Sequence, residues 1–143
     1  MSATTLIHPD KVRAYTATEY RIRYMDTDIV LTIGKRSKAL AELFALYEAD
    51  CGAFLTAFNP YGTRQPDSLN ETAHEALLHR LEKLGADIID GWGGEPGSDW
   101  PLEKSCFALG LRLDNAAAIG RDFNQDAIVW IGPDAIPQLI LLR

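Results

Sequence analysis

Six neutral or acidic polar side chains stand where α/β proteins place their chemistry, at the ends of apolar runs. Thr56 and Asn59 belong to the run Ala53–Phe58 and its end, Asn70 opens a helical stretch, Glu103 and Ser105 precede a strand-like run, and Gln125 precedes another. A carboxamide orients a ligand through paired donor and acceptor groups, which suits Asn59, Asn70 and Gln125. Glu103 is the candidate catalytic residue, as a general base. Thr56, Asn59, Asn70, Ser105, Arg121 and Gln125 are the candidate ligand-binding residues, with Arg121 and the N-terminal arginines as anion contacts. The competing reading is structural: a polar residue at a strand end serves as a turn former or cap.

Other chemistries fail on spacing. His74-Glu75 and His79 are arranged H-E-x-x-x-H, and five residues turn the second imidazole by about 140° around a helix, so the pair cannot share a zinc ion. Both histidines are expected on a helix surface. Gly91, Gly93 and Gly94 lack a glycine at 96, where Pro stands, and Gly34-Lys35 lacks the rest of a phosphate loop. There is no GxSxG. No metal site and no cofactor are expected.

Composition bounds the rest. The 143 residues are 47% hydrophobic and 24% charged, ordinary globular usage for one domain. Net charge is −6, from +3 over residues 1–40 and −9 over 41–143. An acidic chain is a poor partner for duplex nucleic acid. Arg21, Arg23, Lys35, Arg36 and Lys38 form either a local anion-binding face or merely solvated charges. Without a signal sequence or an apolar run of membrane length, a cytoplasmic location and no membrane partner are expected. Cys51 and Cys106 belong to no CxxC and read as reduced thiols in or near the core.

The elements that would position these residues follow from period and punctuation. Residues 1–18 read as a flexible or short-helical N-terminal segment, and 19–143 as a single α/β domain. Tyr20, Ile22 and Tyr24 alternate with Arg21 and Arg23, then Met25–Asp28 turns into a partner strand over 29–33. Ser37 caps a helix whose face is Leu40, Leu43, Phe44 and Tyr47. A buried strand over 53–58 ends at Asn59-Pro60. Ser68 and Glu71 have capping-box spacing ahead of a stripe of Ala73, Leu77, Leu81 and Leu84, with Gly85 at the stop. The segment 91–101 reads as a loop whose two tryptophans cover either a pocket, as a lid, or the sheet edge. The order is ββαβαββαββ. This predicts an α/β fold with α+β tendency, a single-domain sandwich of a mixed β-sheet flanked by helices.

Phe54-Leu55-Thr56-Ala57-Phe58-Asn59-Pro60 with Asn70, Trp100–Ser105, and Gly120–Val129 together resemble the signature of domain of unknown function family 3293. The resemblance runs from about Tyr20 to Leu139. It implies a small stand-alone bacterial protein and no established activity, substrate or cofactor. The family's polar signature falls on Thr56, Asn59, Asn70, Glu103, Ser105, Gly120 and Gln125, while position 104, where the family tends to carry a second acid, is Lys. Two functions compete: binding, or processing, of a small polar or anionic metabolite such as a nucleotide, and a non-catalytic regulatory or interaction module whose signature residues are structural. Convergence of Asn59, Asn70, Glu103 and Gln125 on one cleft favours the first.

Overall fold

The computed structural model describes residues 5–94, 98–99 and 101–143. Helix α1 (Pro9–Ala17) leads into a hairpin of β1 (Glu19–Tyr24) and β2 (Thr27–Leu31). Alternation buries Tyr20 and Ile22 on one side of β1. Arg21 and Arg23 are held by Glu19 and Asp28, each at 2.8 Å, so these two arginines are neutralised where they stand. Then come α2 (Lys38–Tyr47), β3 (Gly52–Leu55), a single 3-10 turn (Pro60–Gly62), α3 (Asp67–Lys83), β4 (Asp87–Gly94), β5 (Glu103–Leu109), α4 (Leu113–Asp122), β6 (Ala127–Ile131) and β7 (Pro137–Leu141).

The strands form one seven-stranded sheet in the order β2-β1-β4-β5-β3-β6-β7, an α+β architecture. Every pairing is antiparallel, where a mixed sheet was expected. Helical crossovers do return the chain parallel, and β3 and β4 joined by α3 run the same way. The β4–β5 hairpin, however, places β5 in the gap between them, and β3 in turn separates β5 from β6. No two parallel strands are left as neighbours.

The sheet curls until its two edges meet: Gly34 N donates to Pro137 O and Ser37 N to Ala135 O, each at 2.9 Å. Leu31 of β2 and Ile131 of β6, distant in strand order, share one buried cluster with Phe54, Phe107, Leu109 and Val129. That cluster therefore lines the inside of the curl. Helix α2 packs there through Leu40, Leu43 and Phe44, with Phe44 stacked on Phe107 at 6.5 Å; Ser37 caps it as the sequence predicts. Helices α3 and α4 cover the opposite face, on Leu55, Cys106, Ala108 and Ile128. Cys51 and Cys106 are free and buried, and burial pushes the Cys106 thiol up to about 12, so it is inert at neutral pH.

Three local expectations are corrected. Helix α3 starts at Asp67 after Pro66, and Ser68 is no cap; its carbonyl instead accepts from Thr72 Oγ1. The buried face of α3 is Asn70, His74, Leu77 and Leu81, with Leu84 exposed, so His74 is not a surface residue. Its packing against the Phe58 ring and the sheet leaves Nδ1 without a partner among the described residues. Burial, and then Lys104 nearby, holds its pKa below the ordinary histidine value. Finally, Gly91–Gly94 are strand rather than loop, with Arg23 over the Trp92 ring at 5.2 Å. Trp92 is thus no lid; residues 95–97 and 100 of the expected lid lie outside the described residues.

Gly91 tests the sheet packing. A Cβ there would lie 2.6 Å from the Arg21 carbonyl oxygen and 3.0 Å from the Phe54 ring, so β1 and β4 must separate to admit it. Gly91→Ala is expected to lower stability by about 1–3 kcal/mol, read as a lower urea midpoint at unchanged slope.

Candidate functional site

Along the inside of the curl, side chains shrink toward one end of the strands. On β5, Leu109 and Phe107 give way to Ser105 and Glu103; past the end of β3, Phe54 is followed by Thr56; on β6, Ile131 and Val129 give way to Ala127 at the start of the strand; and on β4, Ile89 is followed by Gly91 and Gly93. Register aligns the small residues, since Gly91 pairs with Ser105 and Gly93 with Glu103 and Tyr20. The large end is filled by α2. The small end holds a cavity of about 310 Å³, walled on the outside by Lys11, Ala14 and Tyr15 of α1. That volume sits at the low end of small-molecule sites.

Thr56, Asn59, Glu103, Ser105 and Gln125 all line this cavity. Asn59 is held in the left-handed region, φ 47°, as it enters the 3-10 turn. Its Nδ2 donates to Glu103 Oε2 at 2.8 Å, while its Oδ1 accepts from Gln65 N and Asn70 Nδ2. Asn70 stands one step behind, its Oδ1 accepting from the Asn59 amide at 2.9 Å and from Gln65 Nε2 at 2.7 Å. Asn70 thus positions Asn59 and does not itself reach the cavity wall. Thr56 Oγ1 donates to Lys104 O, and Ser105 Oγ to Glu103 O, fixing the β5 end. Gln125 Nε2 donates to Phe58 O and Phe123 O. Arg121 lies apart: exposed in the last turn of α4, it donates to Leu142 O at 3.3 Å. Gly120 is a packing residue, where a Cβ would meet Leu142 and Ile128 within 2.7 Å.

Sequence reasoning missed the other half of the wall. Asp126 is buried and receives Tyr15 Oη at 2.7 Å, Lys11 Nζ at 3.3 Å and Arg143 Nε at 2.6 Å. Lys11 also donates to Tyr61 O at 2.8 Å, and Tyr20 Oη donates to Tyr15 O at 2.5 Å. The available signals were the i, i+4 spacing of Lys11 and Tyr15 and an acid set directly against an apolar strand at 126. Burial, then the Asp126 contact, raises the Tyr15 hydroxyl well above its ordinary value, and burial does the same for Tyr20. Both stay neutral donors. Burial pushes Asp126 upward too, but the bonds from Tyr15, Arg143 and Lys11 outweigh it and hold the carboxylate below its usual range. Among the described residues no cluster of three His, Cys, Asp or Glu side chains is placed to hold a metal, and no helix is long and apolar enough to cross a membrane.

A single α+β domain with a cavity at one end of a curled antiparallel sheet is the class that fold and site define. The chain belongs to the family described as Protein of unknown function (DUF3293), whose model matches residues 55–128, just over half of the 143. No curated protein and no solved structure matches the chain. The matched stretch contains Thr56 through Gln125 and Asp126 but not α1, the outer wall.

A carboxylate whose pKa is lowered by folding stabilises fully above its unfolded value, near 3.9, and ceases to do so as pH falls through the folded value. Asp126→Asn is therefore expected to cost about 3 kcal/mol near neutral pH. In urea titrations the gap to the unaltered chain should stay constant from about pH 5 to 7 and close below about pH 4.

Proposed function

We propose that the chain binds a small polar ligand in the cavity between α1 and the sheet, with Glu103 as the principal acceptor. The observation that carries this reading is convergence: Thr56 and Asn59 after β3, Glu103 and Ser105 of β5, and Gln125 before β6 come from three segments and meet on one cavity. Glu103, oriented by Asn59 Nδ2, is the side chain placed to take a hydrogen bond or a proton from the ligand. Phe54, Val129 and Leu139 supply the apolar wall.

The polarity of the wall favours a neutral, donor-bearing ligand over an anion. Lys11 is the one cation among the described lining residues, and it is engaged by Asp126 and Tyr61 O. Arg121 stands outside. The base of a nucleotide suits this wall better than its phosphate does. The second reading, an interaction module without chemistry, draws support from the internal bonding of Asn70, Thr56 and Ser105, each of which acts on backbone or on another wall residue.

A thermal-shift screen with nucleosides, free bases and amides separates the two. Binding is expected to raise the melting temperature, with about 2.7 kcal/mol of stabilisation at a hundred times Kd. Glu103→Gln should remove most of that shift while leaving the unliganded melting temperature within a few degrees. A chain that ignores the whole panel speaks for the interaction module.

A further inference from the structure

Among the described residues the cavity has three glycines in its wall, and one of them, Gly62, is required by its backbone. Gly62 sits at φ +72°, a backbone that favours glycine, and a Cβ on Gly94 would meet only the tip of the exposed Leu102 side chain, which can turn aside. Gly93 has no such requirement. Its φ is not positive, and a Cβ there would meet Tyr20, Phe54 and Thr18 at 3.6–3.9 Å, ordinary contact distance, with nothing nearer among the described residues. The fold would accept a methyl group at this point, and strand interiors ordinarily favour a side chain, because glycine loses more chain entropy on folding.

Gly93 also stands at the centre of the site. In register it lies between Tyr20 on β1 and Glu103 on β5. The Tyr20 and Phe54 rings meet edge to face 5.2 Å apart beside it. A flat peptide surface, two aromatic rings and a carboxylate on the neighbouring strand therefore surround one gap. We propose that the bare backbone at Gly93 is the floor of a ring subsite, which takes a planar aromatic or heteroaromatic group carrying an N–H or O–H donor. The ring lies on the Gly93 peptide, flanked by Tyr20 and Phe54, and its donor reaches Glu103. The inference rests on the binding role of the cavity and adds the shape of the ligand and the residue that selects it.

Ligand-observed NMR on the full chain tests it with matched fragments: adenine, 2-aminopyridine and benzamide against cyclohexylamine and cyclohexanecarboxamide. The planar set is expected to bind and the saturated set not to. Gly93→Ala should weaken planar binding about tenfold, the effect of one added methyl group in a filled pocket. Gly93→Leu should abolish it, with melting temperature and circular dichroism of the Ala variant near those of the unaltered chain. If saturated fragments bind as well as planar ones, or if Gly93→Ala binds undiminished, the ring subsite is overturned while the cavity keeps its binding role. If no fragment of either set binds, the binding role itself falls.

Discussion

Asp126 is the point on which the outer half of the molecule depends. A carboxylate with 1% of its side chain exposed must be met by donors, because an unpartnered buried charge costs several kcal/mol. Here the donors come from both ends of the described chain: Lys11 and Tyr15 from α1, and Arg143 past β7. Its backbone carbonyl also receives Leu142 N at 2.8 Å. Helix α1 has no buried residue of its own, so apolar packing does little to hold it. Its place over the sheet follows from this polar knot, with the Tyr20 hydroxyl on the Tyr15 carbonyl as a second tie.

The cavity is the consequence of two gradients that coincide. On the inner face of the curl, bulky side chains end at about the same level on neighbouring strands, and polar or very small ones take over. Helix α2 is short and apolar enough to plug the bulky end, while α1 is polar and spans the other end without filling it. The unfilled volume is therefore bounded by polar groups wherever strands terminate and by Phe54, Val129 and Leu139 wherever they continue. In such a lining every buried polar group has, or must be given, a partner. Asn70 and Gln65 serve this end by pinning Asn59, whose remaining donor is directed at Glu103.

Much of the scaffold was readable in one dimension. Period two placed β1, the Ser37 cap placed α2, and Gly85 placed the end of α3, since each is a local preference acting over a few residues. The polar strand-end residues were readable for the same reason, and five of them do meet in one cavity. What was not readable is rotation and pairing. His74 faces the core because α3 is turned to lay Asn70, His74, Leu77 and Leu81 on the sheet, a choice made by the packing partner and not by the apolar count. The antiparallel sheet likewise depends on β5 and β3 filling gaps between strands far apart in sequence.

The sequence by itself determined most of the elements, a single domain of interleaved helices and strands, and the polar residues set at strand ends, because these follow from spacing and turn chemistry along the chain. Only the tertiary structure decided that Glu103 is met by Asn59 from 44 residues away, that Arg121 stands apart, and that Lys11, Tyr15 and Asp126 complete the wall. The opening polar runs carry no period that distinguishes a solvated helix from one tied down by a buried acid. That distinction is made by a carboxylate more than a hundred residues later in the chain, whose demand for donors exists only once folding has removed it from water.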